Sequence, residues 1–230
     1  MNSKDTLFKY CLRLGDSNLI LGHRLSGWSS NGPVLEEDIA LTNIALDLIG
    51  QARYLYQYAA EVEGKGRTED DLAYKRAERE FYNNLITELP NGDFGYTIAR
   101  QFLVDTFDYY FYSELVNSKD ERLAALAARA LKEVTYHLRH SSQWILRLGD
   151  GTEESHNRVQ TALNDLWMFT GELFEMNEVD EVLIKEDIAP DLNPIREKWN
   201  KKVAGVLSEA TLTKPEDGWM QTGSRDGKHT

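Results

Sequence analysis

Apolar residues along this chain recur in steps of three and four, the period of an α-helical face. Between 36 and 63 the positions Leu41, Ile44, Ala45, Leu48, Ala52, Leu55 and Ala59 form one such stripe. A second face of the same segment carries Asn43, Asp47, Gly50, Tyr54 and Tyr58, small, polar and aromatic residues where a solvated helix would show Lys and Glu. With few charges on any side, this helix is expected in the middle of a bundle. An earlier helix is predicted over 7–28, from Leu12, Leu19, Ile20 and Leu25, with Gly15 or Gly22 as an interruption, and a loop over 29–33. Further helices are predicted over 72–88, 94–116, 119–148, 153–176, 178–186 and 192–212, leaving a tail from about 213 to 230.

The punctuation agrees with the periodicity. The prolines stand only at Pro33, Pro90, Pro190, Pro194 and Pro215, where Gly, Asn and Asp also gather. Gly149-Asp150-Gly151 ends one helix, and Thr152 is a suitable N-cap for the next. The segment 94–116 packs Phe102, Phe107, Tyr109, Tyr110, Phe111 and Tyr112 so densely that one narrow seam cannot take them all, so part of it is expected to meet another surface. No run alternates as strands do, and the fold class is all-α, a helical bundle with additional helices in one domain over 1–230.

Charge and cysteine content narrow the function classes. A net charge of −12 opposes phosphate backbones at long range, which excludes nucleic acid as the expected partner. The single cysteine, Cys11, cannot form an internal disulfide, and no secretory signal opens the chain, so a cytoplasmic location is expected. The weakly charged stretch 39–60 is broken by Thr42, Asn43, Gly50, Gln51 and Gln57 and is not a membrane span.

Long four-helix bundles can house two metal ions between carboxylates and Glu-x-x-His pairs on facing helices. Here the literal Glu153-x-x-His156 lies in the first turn of a helix, an exposed start. Glu133, His137 and His140 share a face of the long helix at 119–148, but their spacing is not that of the motif, and Tyr136 stands where the histidine belongs. On the 36–63 helix the matching position reads Asp47-Leu-Ile-Gly50, and Gly50 has no side chain to bind anything. Asp105 and Asp108 are candidate relics of carboxylate ligands, with pairing to Arg100 or a tyrosine as the plainer role. Nucleotide-binding glycine loops and serine-hydrolase elbows are absent from the sequence, and Cys11 sits in an apolar repeat. Basic clusters at Lys75, Arg76 and Arg79, and at Arg139 and Arg147, suit solvated helix faces, with phosphate binding as the alternative.

Four stretches carry a family resemblance: EEDIALTNIALDLIGQARYLYQYAAE from Glu36, EREFYNNLITELPNGDFGYTIARQFLVD from Glu78, KEVTYHLRHSSQWILRLGDGTEES from Lys132, and LWMFTGELFE from Leu166. Together they resemble the C-subunit family of phenylacetyl-CoA epoxidase, over nearly the whole chain. The resemblance implies a ferritin-like fold and a place in a multicomponent monooxygenase that epoxidises the aromatic ring of phenylacetyl-CoA with dioxygen and electrons from NADPH. It implies a homologous catalytic A subunit carrying the di-iron centre, a small B subunit, and a reductase with FAD and an iron–sulfur cluster. No cofactor is then expected in this chain, whose metal positions Asp47, Gly50, Asp105, Glu133 and His137 are degenerate.

The resemblance also implies acyl-CoA contacts at Glu80, Phe81, Tyr82 and Asn83 and at Glu181, Val182 and Leu183, with packing as the plainer role of Phe81 and Leu183. Relatives continue past the equivalent of Gly223 to Thr230 into a further helical segment. Two other functions stay open at this stage: a di-iron oxygenase using Asp47, Asp105, Glu133 and His137, and a helical protein that binds an acyl-CoA without chemistry. Whether the isolated chain is a homodimer is also open.

Overall fold

The computed structural model describes residues 3–230, and among them there are helices and no strands. Four long helices make the bundle: α1 (Ser3–Ser26), α2 (Leu35–Glu63), α5 (Phe94–Leu115) and α6 (Glu121–Gly149). Between α2 and α5 lie the short α3 (Glu69–Tyr74) and α4 (Leu85–Glu88). After α6 come α7 (Glu153–Trp167), α8 (Glu178–Lys185) and α9 (Leu192–Glu209). The architecture is the all-α bundle with additional helices that the periodicity predicts, and no helix among the described residues is long and apolar enough to cross a membrane.

The bundle consists of two antiparallel hairpins, α1/α2 and α5/α6, laid face to face. Helix α1 runs unbroken through both expected interruptions, because Gly15 and Gly22 serve close approach instead. A Cβ at Gly15 would lie 2.8 Å from the Tyr56 ring, and one at Gly22 would lie 2.9 Å from Ile49 Cγ1 and 3.1 Å from the Ala45 carbonyl oxygen. Caps define the other starts. Thr152 accepts from the Ser155 amide at 3.2 Å, Asp93 caps α5, and Asp120 caps α6.

Two expectations of burial are corrected. The central helix is α5, not α2: α5 packs on α6 along one side and on α7 and α9 along the other. Phe102, Phe107, Phe111 and Tyr112 are absorbed inside this chain, while Tyr109 and Tyr110 stay partly exposed. Phe107 stacks on Phe111 and meets Phe174 edge-on, and Trp199 of α9 donates its indole N–H to the Leu103 carbonyl at 2.9 Å. Helix α2 lies instead at an edge, with Leu35, Ile39 and Leu46 exposed by 72%, 51% and 61%.

Two helix boundaries also differ from the prediction. The segment 72–88 unwinds after Tyr74, because Arg76 turns inward to the buried carboxylate of Asp16 and also bonds the Leu72 and Glu80 carbonyls. The chain resumes helical form only at α4. Helix α7 stops at Trp167, where the indole N–H meets Asp217 at 3.0 Å and Gly171 lies under Met220 of the tail.

Candidate functional site

Two regions hold the residues that the sequence singles out. The first is the seam between α2 and α6, which is bridged at successive turns by polar side chains. Glu37 meets His140 Nε2 at 2.7 Å, Asp47 meets His137 Nε2 at 3.0 Å, and Gln51 Nε2 donates to Glu133 at 2.9 Å. Farther along, Arg129 donates to the Tyr54 hydroxyl at 2.7 Å, and the Tyr58 hydroxyl donates to Asp120. The Gln51 bridge continues inward: Asn18 of α1 donates to Gln51 at 3.3 Å and to the Tyr112 hydroxyl at 3.1 Å.

The residues expected at degenerate metal positions are therefore distributed over separate couples. Asp47 keeps 37% of its side chain exposed on the outer edge of the seam, beside the fully buried His137. Gly50 opens outward, with no atom within 4 Å of the place a Cβ would take. Asp105 lies deep in the bundle, bonded by Ser141 at 2.7 Å and Gln101 at 2.6 Å. Burial holds its carboxyl above the ordinary range, partly offset by His137 and these two donors. Asp108, one turn on, borders a cavity of ≈ 30 Å³ with Asn18, Asn84 and Tyr112, and no hydrogen bond reaches it from the described residues. Burial, then the like charge of Asp105, raise it well above a normal aspartate. No three His, Cys, Asp or Glu side chains converge among the described residues in a manner that could hold a metal ion.

His156 and His229 have local roles. His156 bonds the Gly149 carbonyl through Nδ1 at 2.8 Å, at the exposed start of α7. His229 meets Glu88 at 2.7 Å. Cys11 is fully buried, and that burial pushes its thiol far up.

The second region lies where α1, the 75–84 connector, α8 and the tail meet. A cavity of ≈ 280 Å³ there is lined by Lys9, Arg13, Tyr82 and Arg225, by the acids Glu178 and Asp226, and by Asn177 and Val179. Arg13 is held by both oxygens of Asp180, whose carboxyl stays below its ordinary range because this pairing outweighs the opposing effect of burial. Arg225 is pulled down to about 9 by burial and by the neighbouring charge of Arg13, and its Nε has no partner. The N-terminus of α8, capped by Asn177, opens on the same space. Three cations, the carboxylates of Glu178 and Asp226 and the N-terminus of α8 thus share one cavity, with Arg13 already paired to Asp180.

Of the residues that the resemblance assigns to acyl-CoA, Tyr82 lines this pocket. Phe81 lies under the Arg76 guanidinium at 4.1 Å and, with Asn83, faces a second cavity of ≈ 450 Å³. Glu80 caps the connector by accepting from the Ala77 amide at 2.6 Å. Leu183 is fully buried and packed, Glu181 is exposed, and neither they nor Val182 line the cavity; the first turn of α8 does so in their place. Lys9, Arg13 and Arg225 escape sequence reasoning because single cations so far apart in the chain form no motif.

The model of the phenylacetic acid catabolic protein family matches residues 1–230. The chain is also 47% identical over 224 residues to the C subunit of the 1,2-phenylacetyl-CoA epoxidase of Escherichia coli strain K12, covering 97% of this chain and 90% of that protein. A match over every residue, together with identity at this level, establishes that the chain belongs to the phenylacetic acid catabolic protein family.

Proposed function

We propose that this chain is the C subunit of a cytoplasmic phenylacetyl-CoA epoxidase and serves as a metal-free structural partner of the homologous catalytic A subunit. The observation that carries this reading is the outer face of α2. Leu35, Ile39 and Leu46 stand exposed there beside Asn43 and Gly50, although the helix has the composition of one packed on every side. Covering such a face removes apolar area from water at roughly 25 cal/mol per Å² before the costs of association. The role in catalysis is indirect: the partner's ligands are held in shape by the surface they rest on. The bridges Asp47–His137 and Gln51–Glu133 occupy with protein hydrogen bonds the side chains a metal would need.

The test is elemental analysis of the purified chain, alone and co-expressed with the catalytic partner, with complex formation followed by size exclusion. The expected result is no iron in the isolated chain and a co-eluting complex that contains it. About two irons per isolated chain, the count of a dinuclear bundle site, would replace this reading with that of a di-iron oxygenase.

A second reading, compatible with the first, has the chain contact the anionic part of the acyl-CoA through Lys9, Arg13, Tyr82 and Arg225. It is supported by the unpartnered Arg225 Nε, buried and facing a cavity that Tyr82 also lines. Arg225→Ala in the assembled complex is expected to raise KM for phenylacetyl-CoA with little change in kcat; an unchanged KM would remove this contact from the proposal.

A further inference from the structure

We infer that the surface shared by α2 and α6 docks a protein chain whose own face is acidic around an apolar ridge. This rests on the assembly role proposed above and adds the chemistry of the partner's face.

In a chain of net charge −12, helix α6 is an island of the opposite sign. Beyond its first residue it carries Arg122, Arg129, Lys132, Arg139 and Arg147 against a single carboxylate, Glu133, and that carboxylate is already bonded by Gln51. Several exposed cations elsewhere are matched to acids, Arg53 to Glu69, Lys119 to Asp187, Arg158 to Glu154 and Lys198 to Glu114, and on α6 itself Arg122 pairs with Glu61 and Arg129 with Glu133. Lys132, Arg139 and Arg147 are all at the surface and form no ion pair among the described residues. Their spacing of seven and eight sets them along one side of the helix. A merely solvated helix face gains from acids placed three or four residues away, and the one acid at that distance from these three is Asp150, beyond the end of α6.

The cations are also braced. Arg139 lies over the Tyr136 ring at 5.6 Å and Arg147 over the Trp144 ring at 5.3 Å, so their guanidinium groups are oriented before any partner arrives. Bridges from Glu37 to His140 and from Asp47 to His137 hold α6 beside α2, so the exposed Leu35, Ile39 and Leu46 adjoin this basic row. An apolar strip flanked by unpaired cations is complementary to an apolar ridge flanked by carboxylates. A second copy of the same face would set cation against cation across a twofold axis, which disfavours self-pairing here.

The test measures association of the chain with the purified catalytic partner at about 0.05 M and about 0.5 M salt, where screening differs severalfold in range. The variants are Lys132→Glu/Arg139→Glu/Arg147→Glu and, separately, Leu46→Asp, with circular dichroism and melting confirming that each still folds. At low salt the triple reversal is expected to weaken binding more than about tenfold, and at high salt the gap should shrink. Leu46→Asp should weaken binding at both. A complex that forms with full strength whatever the charges on α6 would overturn this inference and leave the assembly role intact. Failure of the unaltered chain to form any complex would overturn both. Self-association of the isolated chain that the reversals abolish would assign the face to a second copy, against the inference.

Discussion

Asp108 should cost the fold stability at neutral pH, and Asp108→Asn should recover it. No hydrogen bond reaches its carboxyl from the described residues, and the cavity beside it, at ≈ 30 Å³, has space for little more than a water molecule. Burial and the neighbouring Asp105 raise the folded group well above the ordinary value. The unfolded chain gives up this proton near pH 4, while the folded chain retains it. Its contribution is therefore complete below the unfolded value and is lost as pH rises toward the folded one, at about 1.4 kcal/mol per pH unit.

Asparagine has nearly the same shape, never ionises, and supplies an amide donor for the unpartnered oxygen of Asn84 across the cavity. The variant is expected to equal the parent at about pH 4 and to exceed it at about pH 7. Urea unfolding at several pH values reads this directly as a stability difference that grows with pH. A difference that stays flat with pH, or a variant that is weaker at neutral pH, would mean that Asp108 is an ionised and compensated group, and the argument from burial would fail. The like charge of Asp105 contributes to the shift at Asp108, so a double variant should be less than additive.

Gly50→Leu should leave the isolated chain as stable as before or more so by about 1 kcal/mol, since glycine is a poor helix former and no atom stands within 4 Å of the new Cβ. The same variant should impair co-elution with the catalytic partner, which size exclusion would reveal. Glu172→Gln should destabilise by about 2–3 kcal/mol, because this buried carboxylate accepts from the amides of both Leu85 and Ser224, and limited proteolysis should then cut near 220–226 first.

The long helices were legible because their apolar positions keep the helical period, and Thr152 and Gly149 mark their ends as read. What periodicity could not give was the rank of the helices. The scarcity of charge on α2 suggested a central place, whereas the structure leaves Leu46 exposed and puts α5 at the centre. The same scarcity fits a helix covered by something outside this chain. Aromatic crowding on α5 pointed to a second surface, and that surface is the chain's own α9 and the turn bearing Phe174. The helix expected over 72–88 failed because Asp16, buried in α1, draws Arg76 and the Tyr82 amide to itself, a demand made from sixty residues away. Spacing singled out Asp47, Glu133 and His137, and the structure brings them to one seam as separate bridges, Asp47 to His137 and Glu133 to Gln51. The cavity lined by Lys9, Arg13 and Arg225 was not legible, since its parts come from both ends of the chain and meet only in the folded protein.

The glycine contacts between α1 and α2 bear on the order in which the molecule forms. These helices are neighbours in sequence, and Gly15 and Gly22 let them meet almost backbone to backbone, so their pairing needs only a short loop to close. The α2/α6 seam joins residues some sixty to a hundred positions apart through polar bridges. Refolding is thus expected to start with the α1/α2 hairpin and to finish at that seam, leaving the docking face as the last part of the bundle to set and the first to open in hydrogen exchange.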